Sequence, residues 1–368
     1  MNVIVFGANH NNTLGLVRSL GEAGYHITLI LIGNKKNYVD KSKYIRKCYY
    51  LNQDTDIVQL VKEIAANLSC KPVLLSAGDG EASLVDLYVE ELSEFVIPEG
   101  GRKNDDINKY RDKKTSNALA LEIGFDLPKT WIIDHPNTLP DDITFPVFVK
   151  ANNSIHGGKG VQSVCQNLEE LKEKLISIPT EDFPIQTQEY IAKEYEIMLQ
   201  GCSVDYGEKV VCEVANRKVR FYPHIYSAGS YSYSVQVEGN QELMRLRGLV
   251  ANYLGHVGYN GLFSAEFLYC NSKFYFLEVN LRNDGTSYLS TACGYNLADI
   301  YCKYRNGLSV LHGVYKPYKY LNLKADIHHV INRKVSVCKW IVQFFSAKCY
   351  SHFSWHDMKP YFYYFFNL

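Results

Sequence analysis

Short apolar runs alternating with helix-like segments over residues 1–108 constrain this chain more than any other feature. Val3–Phe6, Ile27–Ile32, Val73–Ser76 and Phe95–Pro98 are apolar and strand-sized, and Leu14–Ala23, Asp56–Leu68 and Glu81–Glu94 carry helical spacing between them. That rhythm predicts an open, mainly parallel sheet, an α/β arrangement. Gly7 and Gly15 follow the first strand eight residues apart, so the G-x-G-x-x-G fingerprint is missing and the domain reads as Rossmann-like without a dinucleotide. At the end of that strand Asn9, Asn11, Asn12 and Thr13 either touch a ligand or serve as turn and N-cap residues, and both readings stay open.

A chain of 368 residues, 46% hydrophobic and 21% charged, has material for two or three domains with real cores. Lys+Arg and Asp+Glu balance at 39 each, which argues against a nucleic-acid partner. The ten cysteines are scattered without a C-x-x-C pair, and no signal peptide precedes Val3, so the expected location is cytoplasmic. No apolar run approaches the roughly 18 residues of a membrane span.

Residues 109–307 hold the polar chemistry. Tyr110–Asn117 begins a helix with Lys113 and Lys114, and Gly124 closes it; alone, these lysines read as a solvated helix end. Phe145–Lys150 is a strand delivering one lysine, followed by Gly157, Gly158, Lys159 and Gly160, whose free backbone could bend around phosphate oxygens. The Walker A pattern does not fit, and a glycine-rich hairpin turn explains the loop equally simply. His156 reads as a loop histidine. Strand alternation sets Glu194 and Glu196 on one face, as a surface strand or a ribose site would. Gly261–Tyr269 and Lys273–Arg282 are two strands joined by a hairpin turn.

The second of these strands places Glu278, Asn280 and Arg282 at every second position. Same-face residues lie about 6.5–7 Å apart, a gap that hard cations bridge through oxygen ligands. With Glu266 on the neighbouring strand, a magnesium site holding phosphates accounts for the acids and the amide, and Arg282 can fork onto an anionic oxygen. A wetted edge strand or an internal Glu–Arg pair is the weaker explanation, because unpaired buried charge is costly.

Lysine strand, glycine-rich loop, Gln188-Glu-Tyr-Ile191 and then Glu266 followed by Glu278-x-Asn-x-Arg282, in this order after a Rossmann-like domain, resemble the ATP-grasp superfamily. The similarity is strongest to its carboxylate–amine ligases and the carbamoyl-phosphate-synthase-like branch. It implies a nucleotide held between two α+β subdomains: a Rossmann-like domain at 1–108, then an ATP-grasp domain at 109–307 with a lid subdomain over about 109–187 and a catalytic one over about 188–307. Residues 308–368 form a basic, aromatic extension.

Carried onto this chain, the resemblance implies that Lys113, Lys150 and Lys159 contact ATP phosphates, with Gly157, Gly158 and Gly160 closing over them. Gln188, Glu189, Tyr190 and Ile191 would hold adenine, and Glu194 or Glu196 the ribose. Glu266, Glu278 and Asn280 would bind magnesium, manganese being the alternative. Arg282 and Lys150 would be catalytic, steadying a phosphoryl group as a carboxylate becomes an acyl phosphate that an amine then captures, in amino-acid or cell-surface polymer metabolism. A kinase-like phosphotransferase and a non-catalytic ATP-binding module are the alternatives.

Small-molecule acids and amines are thus the expected partners. Arg217, Lys218 and Arg220 either fix an anionic substrate or form a solvated basic strand. From Val314 onward eight Lys or Arg face only Asp326 and Asp357, a net +6, and the end is Tyr361-Phe-Tyr-Tyr-Phe-Phe366. Such a tail is expected to pack on its own domain or on the sister subunit of a homodimer, with peripheral membrane contact as the alternative.

Overall fold

The structure is a computed structural model and describes residues 1–33, 37–52, 55–151, 161–311 and 313–366. Its contacts divide it into two units, one of residues 1–108, 196–265 and 279–368, the other of 109–195 and 266–278.

The first unit opens with the expected parallel sheet. Strands β1 (Asn2–Ala8), β2 (His26–Ile32), β3 (Ile45–Leu51), β4 (Val73–Ser76) and β5 (Ile97–Pro98) stand in the order β3-β2-β1-β4-β5. All four pairings are parallel. The chain reverses its direction of growth between β1 and β4, the place where open α/β sheets collect ligands. Helix α1 (Asn11–Glu22) is nearly all buried, capped by the His10 side chain. Gly7 is demanded by crowding, since a Cβ there would collide with the Thr13 side chain, whose hydroxyl donates to Ala8 O at 2.8 Å. Helix α2 is Ile57–Ala65, and the predicted helix Glu81–Glu94 is instead α3 (Asp79–Leu87) and α4 (Val89–Ser93), broken where Tyr88 leaves helical geometry at φ −122°.

In the second unit α5 (Lys113–Ile123) precedes an antiparallel sheet of β6 (Thr130–Ile133), β7 (Val147–Ala151), β8 (Ser163–Cys165) and β9 (Ile185–Glu189), ordered β6-β9-β7-β8, with α6 (Leu168–Ile176) against it. Alternate residues Val147 and Val149 enter a core with Trp131, Leu171, Leu175 and Ile185. The Asp112 side chain caps α5, and Gly124 ends it at φ 98°.

A seven-stranded sheet is built from β10 (Tyr195–Val204), β11 (Lys209–Phe221), β12 (Gly229–Gln236), β13 (Gly261–Cys270), β14 (Lys273–Asn280), β15 (Lys319–Leu321) and β16 (Cys349–Tyr350), ordered β14-β13-β10-β11-β12-β15-β16. The expected hairpin joins β13 to β14, and Asn271 and Ser272 take φ 49° and 60°, as a two-residue turn requires. Phe125, Phe267 and Phe276 form one ring cluster that fixes the hairpin tip within the second unit.

Helix α7 (Gln241–Val257) packs beside β11, and α8 (Tyr288–Ala292) and α9 (Leu297–Arg305) lie against α1. The C-terminal segment carries α10 (Leu323–Ile331), α11 (Val337–Ser346) and α12 (Lys359–Phe366) and is sewn into the first unit. Arg18 of α1 donates to Asp357 Oδ2 at 3.1 Å and to the carbonyls of His352 and Asp357, and both side chains are buried. Tyr364 stacks on His352 with ring centroids 3.7 Å apart and meets Tyr38 edge-on at 5.2 Å, so this residue packs on its own domain. Phe362, Phe365 and Phe366 remain exposed. Among the described residues no helix is long and apolar enough to cross a membrane.

Candidate active site

In the second unit the chemistry centres on Lys150. Strand β7 carries it as a buried residue, cross-strand from Gln186 of β9. Burial, with help from the nearby Lys113 ammonium, pushes the Lys150 amine down to about 7, while Glu278 acts in the other direction. Three of the expected residues therefore lie within electrostatic reach of one another. Lys113 and Lys114 open α5 with no acid in its first turn, the wrong sign for a helix N-terminus. An anion beside Lys150 and Lys113 would relieve both penalties.

Sequence reasoning missed Gln186. It is fully buried opposite Lys150, and its Oε1 has no hydrogen-bond partner, as is also true of the Thr187 hydroxyl next to it. Such orphans are costly unless a ligand supplies donors. A signal existed in Ile185-Gln-Thr-Gln188, a strand of polar residues within an otherwise apolar sheet.

Gln188 is buried and donates to Thr130 Oγ1 at 2.9 Å, whereas Glu189 points to solvent. The backbone of Tyr190 is held by Pro146 O at 3.0 Å, and Ile191 is buried. Glu194 is exposed, and its carboxylate receives the Asn271 amide at 3.2 Å. Glu266 and Glu278 are half-buried on the hairpin strands. Gly157, Gly158, Lys159, Gly160 and His156 lie outside the described residues.

In the first unit a row of alternating charges crosses the sheet. Glu196 meets Lys218 at 3.6 Å, both buried. Lys218 and Arg282 together hold Asp284 below the usual carboxylate range against the opposing effect of its burial, with two hydrogen bonds from Thr286. Arg282 forks onto Asp79 with both bonds at 3.0 Å and also donates to Asn280 Oδ1 and Asn283 O, each at 3.1 Å. Burial raises Glu81, with Asp79 adding to the effect and Arg282 opposing it.

This arrangement corrects the solvated-strand reading of residues 217–220. Lys218 is buried, and Arg220 donates to Asp326 through two of its nitrogens at 2.9 and 2.6 Å and to Gln343 through the third at 2.8 Å. Arg220 is thus committed to the fold, and Lys218 stays with the polar row. The same face carries Asn216, whose Oδ1 has no hydrogen-bond partner, and Ser232, whose hydroxyl has none.

Asp79 and Glu81 also escaped the sequence reading. They occupy Ser76-Ala-Gly-Asp-Gly-Glu81, an acid pair set between glycines at the end of β4. The loop after β14 docks at the same sheet edge: Asn283 Nδ2 donates to Asn12 O at 3.0 Å, and the Asn283 amide reaches Ser76 O at 3.4 Å. Asn12 follows β1 and Ser76 ends β4, the two strands that flank the switch point of the sheet.

Residues 119–295 match the family model of the ATP-grasp domain. This stretch has the ATP-grasp fold. Its fold recurs in N5-carboxyaminoimidazole ribonucleotide synthetase from Thermus thermophilus, with a TM-score of 0.67 and 13% identity over 91% of this chain and 87% of that one. Biotin carboxylase from Campylobacter jejuni gives 0.65 and 17% over 86% and 74%. L-amino acid ligase from Bacillus licheniformis gives 0.60 and 14% over 84% and 75%. A search of the curated proteins finds no match to this chain. The α/β class, with a parallel sheet preceding the ATP-grasp part, is as the sequence implied.

A divalent cation fits the donor chemistry. Among the described residues no three His, Cys, Asp or Glu side chains cluster as a metal site. The expected set, Glu266 and Glu278 with the amide of Asn280, offers oxygen ligands only, suited to a hard ion that keeps several waters and bridges phosphates.

Proposed function

We propose that the protein is an ATP-dependent ligase that activates a carboxylate as an acyl phosphate and passes it to an amine. The observation carrying this reading is Lys150, an amine buried beside Lys113, because a polyphosphate would supply the missing negative charge. Lys113, Lys150 and Lys159 hold the ATP phosphates under the Gly157–Gly160 loop. Gln188–Ile191 take the adenine, and Glu194 or Glu196 the ribose. Glu196 enters that role only by sharing its carboxylate with Lys218.

Glu266, Glu278 and Asn280 would ligate magnesium, which when bound neutralises the phosphates and withdraws charge from the transferred group. The substrate carboxylate attacks the γ-phosphorus, and the bond to the β-phosphate oxygen breaks to release ADP. Arg282, freed from Asp79, steadies the acyl phosphate with its fork. The amine then adds to the acyl carbon, phosphate departs with the C–O electron pair, and the amine's proton passes to an acid such as Asp79. The carboxylates of Asp79 and Glu81 beside Arg282 suit a cationic amine in wait, which gives one proton to Glu81 before it adds as the free amine. Acyl transfer to nitrogen is favoured over phosphorylation of a hydroxyl because acids and cations are both built around Arg282.

The test is incubation with Mg-ATP, pooled carboxylic acids and hydroxylamine. Carboxylate-dependent ADP release with a trapped hydroxamate is the expected result. ADP release without any hydroxamate would replace the ligase reading with a phosphotransferase.

A further inference from the structure

We infer that the C-terminal segment docks the protein on the surface of an anionic lipid bilayer. Helix α11 presents Val337, Ile341 and Phe345, one turn apart, as a stripe exposed to solvent. Phe345 and Trp355 are each 70% exposed, and Phe365 of α12 is 63% exposed. The exposed rings belong to one aromatic cluster, because ring contacts run without a gap from Phe345 through Phe344, the buried Tyr350 and Phe353, branching to Trp355 and through Tyr361 to Phe365. A cavity of about 390 Å³, lined among others by Trp340, Phe344, Phe353 and Phe365, lies within the same cluster and could receive an acyl chain. Exposed apolar surface of this kind marks an interaction site.

Charge selects the occupant. Over residues 327–366 Arg333, Lys334, Lys339, Lys348 and Lys359 are all exposed. Asp357 is the sole acid in that stretch, and it is buried against Arg18. Every exposed charge that this segment itself contributes is therefore basic and accompanies aromatic and aliphatic side chains, the composition that lies in the headgroup region of an anionic leaflet. A protein partner would need a large acidic rim of its own. No described helix could span the bilayer, so the contact is interfacial, and it is independent of the ligase reading.

The experiment is flotation of the full chain with vesicles of phosphatidylcholine alone and of phosphatidylcholine mixed with phosphatidylglycerol. Binding should require phosphatidylglycerol and weaken with salt. Phe345→Ser combined with Phe365→Ser should lower partitioning at least tenfold with no change in melting temperature, since both rings are exposed. Lys339→Gln and Lys348→Gln should each lower it about fivefold. Absence of binding to either vesicle would overturn the inference, as would equal binding to both that ignores the lysine variants. A dimer in sedimentation velocity that the double serine variant dissociates would overturn it too, by assigning the patch to a second copy of the chain.

Discussion

Arg18→Met should unfasten the C-terminal segment. The guanidinium donates three bonds, at 3.1, 2.8 and 2.9 Å, and both it and Asp357 are 1% exposed. Methionine fills much of the volume but leaves the Asp357 carboxylate without its cation, held by the Ser42 hydroxyl and the Lys43 amide at 2.9 and 3.0 Å. Stranding one member of a buried pair costs about 3–5 kcal/mol, a large share of the roughly 5–15 kcal/mol that holds a domain together. Asp357→Leu should cost a similar amount by stranding the guanidinium. The double variant removes both charges and should lose only about 1–2 kcal/mol, chiefly the two bonds from Ser42 and Lys43. Urea unfolding followed by tryptophan fluorescence suits the test because Trp340 and Trp355 both lie in the affected segment. If the two single losses simply add in the double variant, to within about 0.5 kcal/mol, the pair is not coupled and the reasoning fails.

Glu278→Ala should reduce magnesium-dependent ADP release at least a hundredfold, an order expected for removal of a group that positions phosphates, while circular dichroism stays unchanged; undiminished turnover would remove Glu278 from the metal site. The Lys150 amine, lowered to about 7 in the folded protein, takes up its proton more readily when unfolded, so stability should rise as pH climbs from about 7 toward the ordinary lysine value of roughly 10.4. Lys150→Met should lose that rise in a comparison of urea midpoints at several pH values, and its KM for ATP should increase about tenfold or more. Gly7→Ala forces a methyl group onto Thr13 and should cost about 1–3 kcal/mol of stability in a thermal melt.

What could be read in the sequence was what is local. The parallel sheet, the lysine-bearing strand β7 and the β13–β14 hairpin each announce themselves by a run of a few residues and a turn. Strand β3 did not, because Arg46 and Lys47 interrupt it. At the sheet edge it needs only one ladder and tolerates, even benefits from, such charges. The break at Tyr88 leaves no glycine or proline to mark it. Partners such as Arg220 with Asp326, or Arg18 with Asp357, are separated by 106 and 339 residues. No periodicity reports such a pair, which is why the basic strand read equally as solvated or as substrate-binding.

The C-terminal segment matters to the candidate site because the polar row does not end with the matched domain. Across four strands Glu196, Lys218, Ser232 and Tyr320 stand in register, and the last comes from β15, beyond residue 295. Burial raises the Tyr320 hydroxyl, with Cys349 and Asp284 adding to the effect while hydrogen bonds with Asn11 and Ser351 oppose it. Tyr315 likewise shares a hydrogen bond with Ser234 at 2.9 Å. A ligand resting on this face would therefore meet side chains that the ATP-grasp match does not include. On the proposed reading, phosphate handling would rest on Lys113, Lys150 and the hairpin acids, whereas the choice of acid and amine would fall partly to Tyr315 and Tyr320. Tyr320→Phe should accordingly shift the KM for the organic substrate while leaving the KM for ATP within about twofold, since it deletes one hydroxyl from that face and leaves every residue of the second unit unchanged. Parallel changes in both constants would place Tyr320 in the general scaffold and return selectivity to the matched domain.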